Sequence, residues 1–121
     1  MARQKEHKAA LTAAKEGLQI QAKTGYGHWD AELRRLEGVA LVGLNRLEEA
    51  ESALQAALRI ARRQRAKSYE LRAATSLARL WGEQGRRTPA HNLLAEVYGW
   101  FTEGFDTLDL KEAKALLDEL A

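Results

Sequence analysis

The strongest constraint on the fold is a pattern of apolar residues that occurs twice, forty positions apart. Sliding the chain by forty residues places Ala50 on Ala90 and Leu54 on Leu94. The other superposed pairs are Ala40 with Leu80, Leu41 with Trp81, Ala53 with Leu93, Ala57 with Val97, and Ala61 with Phe101. A period this long, with helical spacing inside each copy, is typical of helix pairs stacked on one another. Such arrays are scaffolds, which bind partners rather than catalyse reactions.

The composition favours helices along the whole chain. Its apolar residues are mostly leucine and alanine, its polar residues are mostly good helix formers, and there is one proline. The length of 121 residues suits one small domain. We therefore predict an all-α fold, a single antiparallel helix-pair array of about six helices. Its predicted units are a half-repeat at 3–23, repeats at 30–66 and 68–104, and a terminal half-repeat at 109–121.

Turn signals predict the ends of the first three helices. The first helix is predicted from Arg3 to Lys23, where Gly25-Tyr26-Gly27 breaks it. Asp30 is predicted to cap the second helix, and Asn45 to end it in a left-handed conformation. The third helix is predicted from Leu47 to Ala66, with acidic residues first and basic residues last, as the helix dipole favours.

Similar signals predict the remaining helices. Ser68 is predicted to cap a fourth helix that Gly85 closes, and Thr88-Pro89 to begin a fifth helix that continues to Gly104. Asp109 has the spacing of a cap for the last helix. The predicted core faces include Leu33, Leu36, Ala40, Leu41 and Leu44 in the second helix, and Ala90, Leu93, Leu94, Val97 and Phe101 in the fifth.

Composition also removes several classes of function. The net charge of +2 is too balanced to indicate a nucleic-acid or membrane partner by itself. There are no cysteines, and the histidines (His7, His28 and His91) lie in separate segments without the spacing of a metal site. No run approaches the ~20 apolar residues of a membrane span. We expect a cytoplasmic protein that is not an enzyme and has no cofactor and no membrane partner.

The second copy of the pattern resembles the tetratricopeptide repeat. The residues at that motif's spacing are Leu77, Ala78, Trp81, Gly85, Ala90 and Leu94. In the first copy Gly38, Leu41, Ala50, Leu54 and Ala57 fit the motif, while Glu37 and Asn45 replace its usual leucine and glycine. The resemblance implies a protein–protein interaction scaffold.

Longer segments are similar to the C-terminal repeat region of large bacterial regulators. These segments are residues 31–38, 57–64, 70–81 and 100–113. In those regulators such regions follow a class III adenylate/guanylate cyclase-like or DNA-binding domain and a predicted ATPase domain. This chain contains no phosphate-binding Gly-x-x-x-x-Gly-Lys-Ser/Thr loop. The resemblance therefore implies a regulatory module of a larger signalling protein, without the enzymatic activity of its relatives.

The tetratricopeptide resemblance also implies a binding groove. In such arrays ligands lie against the first helix of each pair, and the matching positions here are Glu32, Arg35, Val39, Arg72, Thr75, Arg79 and Glu83. Arg72, Thr75 and Arg79 share a helical face, and arginines there would suit a carboxylate or an acidic peptide. The alternative is that these side chains simply face water.

Basic residues in the third helix offer a second function. Arg59, Arg62 and Arg63 are close in sequence and could contact phosphates in a nucleic acid. The helix dipole and solvation explain the same residues, so nucleic acid is the alternative partner rather than the main one.

Two further expectations concern packing. Trp81 and Phe101 are predicted to pack in the core, and Trp100 to contact the last helix or lie at an interface. A cut array exposes apolar faces at its ends, so self-association through a terminal helix is predicted. The leucines expected to need cover are Leu11, Leu18, Leu116 and Leu120.

Overall fold

The computed structural model describes residues 2–25 and 27–121, and this part of the chain contains six α-helices and no strand. They are α1 (Ala2–Thr24), α2 (Asp30–Gly43), α3 (Leu47–Arg63), α4 (Lys67–Glu83), α5 (Arg87–Tyr98) and α6 (Leu108–Leu120), with a short 3-10 helix at Gly27–Trp29. The predicted all-α class and the number of helices are confirmed. The predicted break after α1 is seen at Gly25, whereas Tyr26 lies outside the described residues.

Three successive helix connections use the same three-residue turn. The middle residue of each turn is left-handed: φ is 59° at Asn45, 56° at Arg65 and 79° at Gly85, twenty residues apart each time. The next N–H then donates to a carbonyl five residues back, from Arg46 to Leu41, from Ala66 to Ala61 and from Arg86 to Trp81, at 2.8 to 2.9 Å. These bonds satisfy helix-end carbonyls and reverse the chain. The predicted left-handed Asn45 is confirmed.

The predicted side-chain caps are wrong, because the helices begin earlier than predicted. Asp30, Ser68, Thr88 and Asp109 all lie inside the first turn of their helices. The residues in the cap position are Trp29, Ala66, Arg86 and Thr107, and none makes a side-chain capping bond. In the short turns the carbonyl that follows the left-handed residue already accepts the first helical bond, as in Ala50 N–H to Arg46 and Ala90 N–H to Arg86. The turn backbone, not a cap, therefore starts the helix.

Two predicted helix ends are also too late. α3 ends at Arg63 instead of Ala66, since Arg65 turns left-handed. α5 ends at Tyr98, and residues 99–107 form a loop in which Gly104 has φ of 76°. Phe101 therefore packs against the core from the loop rather than from a helix.

The helices form two layers. α2 contacts α4 and α4 contacts α6, while α3 contacts both α2 and α4, and α5 contacts both α4 and α6. α1 packs on α2 at the start of the array. Among residues 2–25 and 27–121, no two Cα atoms within 8 Å join α1 to α3 or α3 to α5. One layer is thus the continuous row α2–α4–α6, whose helix N-termini lie at the same edge.

Small residues allow the layers to approach closely. A Cβ atom added to Gly38 would lie 2.6 Å from Cγ of Leu54 and 3.3 Å from the carbonyl oxygen of Ala50. Leu54 is fully buried, with Leu71, Leu77, Leu94 and Val97 as the other largest buried side chains. The crossing of α2 and α3 therefore depends on the absence of a side chain at position 38.

One predicted core residue is on the surface. Leu36 is 41% exposed, whereas Ala40 and Leu41 in the same helix are buried. α2 contacts α1, α3 and α4, which leaves one side of the helix open, and Leu36 lies there next to the exposed Val39. The predicted core face of the second helix therefore includes one residue, Leu36, that lies outside the core.

The four leucines expected to need cover at the ends of the array are covered at least in part by the chain itself: Leu11, Leu116 and Leu120 are buried and Leu18 is half-buried. Self-association through a terminal helix stays a prediction, but these leucines do not require it. None of the helices among the described residues combines the length and apolar content needed to cross a membrane.

We predict that Gly38→Ala lowers the free energy of unfolding by about 1–2 kcal/mol, measured by urea denaturation. Overpacking against the fully buried Leu54 lowers the free energy of unfolding by about 1–3 kcal/mol. The better helix propensity of alanine offsets up to about 1 kcal/mol of this loss. The matched control is Gly82→Ala. Its Cβ would meet only the end of the Leu120 side chain, at 2.9 Å, so little or no loss is expected. Equal losses in both variants would contradict this account.

At the left-handed turns, removing a side chain is expected to stabilise the protein and adding one to destabilise it. Arg65→Gly should stabilise the protein by roughly 0.5–1 kcal/mol, because glycine adopts a positive φ without steric strain. Gly85→Ala should destabilise it by about as much, for the same reason. Thermal unfolding followed by circular dichroism measures both, and a destabilised Arg65→Gly variant would show that the Arg65 side chain itself holds the turn.

Candidate functional site

The α2–α4–α6 layer carries a groove that begins with a polar cleft. This cleft has a volume of about 150 Å³. α2 contributes Arg35, α4 contributes the middle of its open face, and α6 contributes two acids. The lining residues are Arg35, Arg72, Thr75, Ser76, Arg79, Asp109 and Glu112.

A smaller apolar pocket adjoins the polar cleft. Its volume is about 90 Å³, roughly that of three molecules of liquid water, which is enough for a branched aliphatic side chain. Val39 and Val42 form one side, Leu80 forms the other, and Leu54 reaches it from α3. Ser76, Arg79 and Glu83 complete the lining.

A third, wider cleft of about 440 Å³ continues the groove between α4 and α6. It is lined by Arg79, Gly82, Glu83, Arg87, Leu116, Glu119 and Leu120. Arg79 is common to all three spaces. We use "the groove" for the polar cleft, the apolar pocket and this third cleft together.

Ion pairs join the three helices across the polar cleft. Arg35 holds Glu32 in a two-bond contact, with Nη2 to Oε1 at 2.6 Å and Nε to Oε2 at 3.0 Å. Arg72 of α4 reaches Oε1 of Glu32 at 3.4 Å and donates from Nε to Oδ2 of Asp109 at 2.9 Å. The resulting row of alternating charges (Arg35, Glu32, Arg72, Asp109) fixes α2, α4 and α6 relative to one another.

These pairs change what the predicted arginines can do. The hydrogen bond to Asp109 is the main reason that the pKa of Arg72 lies above its usual value, with the charges of Asp109 and Glu32 acting in the same direction. Burial opposes the shift. Arg72 therefore stays charged, but its charge is balanced inside the protein. An acidic ligand would have to compete with Glu32 and Asp109 for Arg35 and Arg72.

Arg79 differs from the other two arginines. It is exposed and has no ion pair or hydrogen bond with any side chain in residues 2–25 and 27–121. Its position beside the apolar pocket and both clefts leaves its five donors open to a ligand. Thr75 is less available than predicted, because its hydroxyl donates to the Leu71 carbonyl at 2.8 Å.

Most of the predicted groove residues lie together. Arg35, Val39, Arg72, Thr75, Arg79 and Glu83 all line the groove, while Glu32 joins it through its ion pairs with Arg35 and Arg72. Sequence reasoning missed the contribution of α6. The forty-residue slide already contained the signal, since it maps Arg72 onto Glu112 and Arg79 onto Glu119. Both of those acids line the groove.

The predicted basic patch is divided in the structure. Nε of Arg62 donates to Oε2 of Glu70 at 2.9 Å, and Glu70 is buried, so Arg62 ties α3 to α4. Arg59 and Arg63 instead line an open cleft of about 490 Å³ together with Arg34, Ala56 and Ile60. Arg62 thus points to a different neighbour from Arg59 and Arg63, and only two of the three predicted cations share a surface.

The packing role predicted for Trp81 is confirmed, with a polar addition. The ring packs against the core, and its Nε1 donates to Oε1 of Glu51 at 2.8 Å. The same oxygen accepts from Arg86 at 2.8 Å, and the Arg86 guanidinium lies 4.7 Å from the indole centre. This cluster links α3 to α4 and to the turn before α5.

Buried carboxylates serve the fold. Glu37 is paired with Arg34 at 3.1 Å, and Glu70 with Arg62, so both charges are compensated. Within the described part of the chain, no three His, Asp or Glu side chains are grouped so as to hold a metal ion.

Comparison of the chain with protein-family models, with curated proteins and with solved structures gives no match. The likeness to tetratricopeptide repeats and to bacterial regulators therefore stays a resemblance.

We predict that Asp109→Ala lowers the free energy of unfolding by about 0.5–1 kcal/mol, because Arg72 loses its strongest partner at a half-exposed site. The control is Asp118→Ala, whose carboxylate pairs with Lys114 on the surface of α6 at 2.7 Å. Its expected cost is smaller, because both side chains of that pair are exposed to solvent. Urea titrations at low and high salt measure both, and a loss at Asp109 no larger than at Asp118 would count against the ion-pair row.

Proposed function

We propose that this chain is a non-catalytic interaction module that binds a segment of a partner protein in the groove. The observation that carries the proposal is the position of Arg79, an unpaired guanidinium at the junction of the polar cleft, the apolar pocket and the third cleft. A site with one open charge beside an apolar pocket offers both orientation and affinity to a peptide.

The charges in the groove define the partner more narrowly than "acidic". Arg35 and Arg72 are already balanced by Glu32 and Asp109, and Glu83, Glu112 and Glu119 add negative charge to the groove walls. A strongly acidic segment would be repelled by these walls. The best fit is a segment with one carboxylate that binds Arg79 and, next to it, an aliphatic side chain that fills the apolar pocket.

The sequence resemblances support the same class of function. Tetratricopeptide-like arrays and the repeat regions of bacterial regulators are interaction modules, and a cytoplasmic regulatory role would follow from either. Enzymatic activity is not part of the proposal.

A nucleic-acid partner is the alternative, supported by Arg59 and Arg63 beside an open cleft. It is the weaker proposal because Arg62 and Arg34 are engaged by Glu70 and Glu37. A fluorescent DNA or RNA titration at low salt separates the two. Binding that weakens steeply with salt and is lost in Arg59→Ala/Arg63→Ala would favour the alternative.

Selection from a random peptide library against the full chain tests the groove proposal. We expect enriched peptides that share an aliphatic residue close to a single acidic residue. Arg79→Ala should weaken their binding about tenfold, in line with the loss of one charge-assisted contact, and Val39→Asp at least as much.

The matched control for Arg79→Ala is Arg59→Ala, which removes an exposed arginine from the other layer and should leave the affinity unchanged. Peptides that bind Arg79→Ala and Val39→Asp as well as the original chain would refute the proposal. Circular dichroism of each variant establishes that the helices are intact.

A further inference from the structure

Exposed apolar side chains are concentrated at one edge of the array. This edge contains the N-termini of α2, α4 and α6, the C-termini of α1, α3 and α5, and the 99–107 loop. The large apolar residues exposed there are Ile20, Trp29, Trp100, Phe105 and Leu108, and we name these five residues the aromatic edge. Leu108 is the most exposed of them, at 69%. The other large exposed apolar residues in the described chain are Leu36 and Val39, on the open side of α2.

Contacts between the elements show that this edge is one surface. The Trp29 ring lies 6.2 Å from the Tyr69 ring at the start of α4, and the side chain of Gln64 donates to the Gly27 carbonyl at 2.8 Å. At the other side of α4, the Lys67 ammonium lies 5.2 Å from the Trp100 ring. The aromatic residues are therefore carried by adjacent elements, from the start of α2 to the loop before α6.

The opposite edge is different in kind. Its two tight turns, residues 44–46 and 84–86, expose Asn45, Arg46, Gln84 and Arg86, and no large apolar side chain of the described chain is exposed there. The tight turn at 64–66 lies at the aromatic edge and exposes no large apolar side chain either, so the exposed tryptophan, phenylalanine and leucine belong to the 3-10 helix at Gly27–Trp29, the 99–107 loop and the start of α6. Clustered exposed apolar residues on a small protein indicate an interaction surface.

Cations without an acidic partner in the described chain lie beside the aromatic edge. Lys23, Arg63, Arg65 and Lys67 are exposed there, and none of them forms an ion pair within residues 2–25 and 27–121. The acids Glu32, Glu70 and Asp109 near this edge are already held by arginines. Glu103 and Asp106 are the exposed acids of the loop, Glu96 is exposed in the last turn of α5, and Asp30 is half-buried at the start of α2. The surface thus combines an apolar strip with four cations on α1, α3, α4 and the turn between the last two, while its exposed acids belong to α5 and the loop.

We propose that the aromatic edge docks the protein on an anionic membrane surface. Tryptophan at the level of the lipid head groups, aliphatic and phenylalanine side chains inserted below them, and lysine and arginine near anionic lipids are the contacts that hold peripheral proteins on bilayers. One of the cations, Lys67, lies over an aromatic ring, that of Trp100. Such attachment to one face of a membrane needs no spanning helix. The proposal replaces the expectation of no membrane partner.

The aliphatic members decide between a lipid and a single-stranded nucleic acid. Bases stack on aromatic rings, and cations would bind the phosphates. Leu108 and Ile20 offer no ring for stacking, yet they are among the most exposed apolar residues of the described chain. Burying either side chain among lipid acyl chains is favourable, because it removes apolar surface from water. None of the five residues of the aromatic edge lines the groove, so docking leaves the groove open to a protein partner.

Co-sedimentation of the full chain with vesicles of phosphatidylcholine, with and without phosphatidylserine, tests the proposal. We expect binding to the vesicles that contain phosphatidylserine, weakened by added salt. Leu108→Ser should reduce the coefficient for partitioning onto these vesicles about tenfold. The double variant Leu108→Ser/Trp100→Ser should reduce it further. The matched control is Leu36→Ser, the same change at an exposed leucine outside the edge, and it should bind like the original chain.

Tryptophan fluorescence supplies a second readout. Bromine-labelled lipids should quench the emission of the original chain on binding, and Trp100→Ser should lose part of this quenching. Helix content by circular dichroism shows whether each variant is folded. Arg79→Ala, the groove variant, should bind vesicles normally, so a failure of the peptide proposal leaves this one standing.

Several results would overturn the proposal. One is no sedimentation with phosphatidylserine vesicles at low salt. Another is equal loss in Leu36→Ser and Leu108→Ser. A mass in solution that doubles with concentration and returns to the monomer in Leu108→Ser would instead assign the aromatic edge to a second copy of the chain. Tighter binding to a single-stranded oligonucleotide than to vesicles would assign it to nucleic acid.

Discussion

A three-residue turn with a left-handed middle residue is the constraint on which the rest of this structure depends. It recurs at Asn45, Arg65 and Gly85, and each time it satisfies the helix-end carbonyls and starts the next helix at once. Since each connection is so short, consecutive helices must be antiparallel neighbours. The turns therefore make α2 and α4 point the same way, while α6 follows the 99–107 loop and joins this row through its contacts with α4 and α5, which places the three N-termini at one edge.

Both candidate surfaces follow from that row. The groove exists because α2, α4 and α6 lie side by side and present successive turns of their open faces. The aromatic edge exists because the N-termini of these helices and the loop after α5 meet at one end. Close packing beneath them is possible where a side chain is missing, as at Gly38 against Leu54. The two surfaces share no apolar residue.

The electrostatics of the groove show how internal pairing changes a predicted site. Arg72 and Arg79 share one helical face and are equivalent in sequence terms. In the structure Arg72 is held by Asp109 and Glu32, whereas Arg79 has no acidic partner in the described chain. Asp109 belongs to the helix that the sequence predicted as a terminal half-repeat, and Asp109 itself was interpreted as the cap of that helix. Its carboxylate instead stabilises the α4–α6 contact, and it leaves Arg79 as the cation available to a ligand.

The sequence by itself determined the helical class, the number of helices and the places where the chain reverses. These features depend on local spacing, on glycine and asparagine at left-handed positions, and on the forty-residue pattern. The resemblance to tetratricopeptide repeats pointed to the residues of α2 and α4 that line the groove, and they lie together because side chains on one helical face stay together whatever the helix contacts. Only the tertiary structure decided which of them are paired, that Leu36 is exposed, that Arg62 turns to Glu70 and away from Arg59, and that Trp29, Trp100 and Leu108 share an edge. Burial and ion pairing depend on residues of other helices, 8 positions away for Arg62 and Glu70 and 37 for Arg72 and Asp109. Local patterns carry no information about which neighbour a side chain meets.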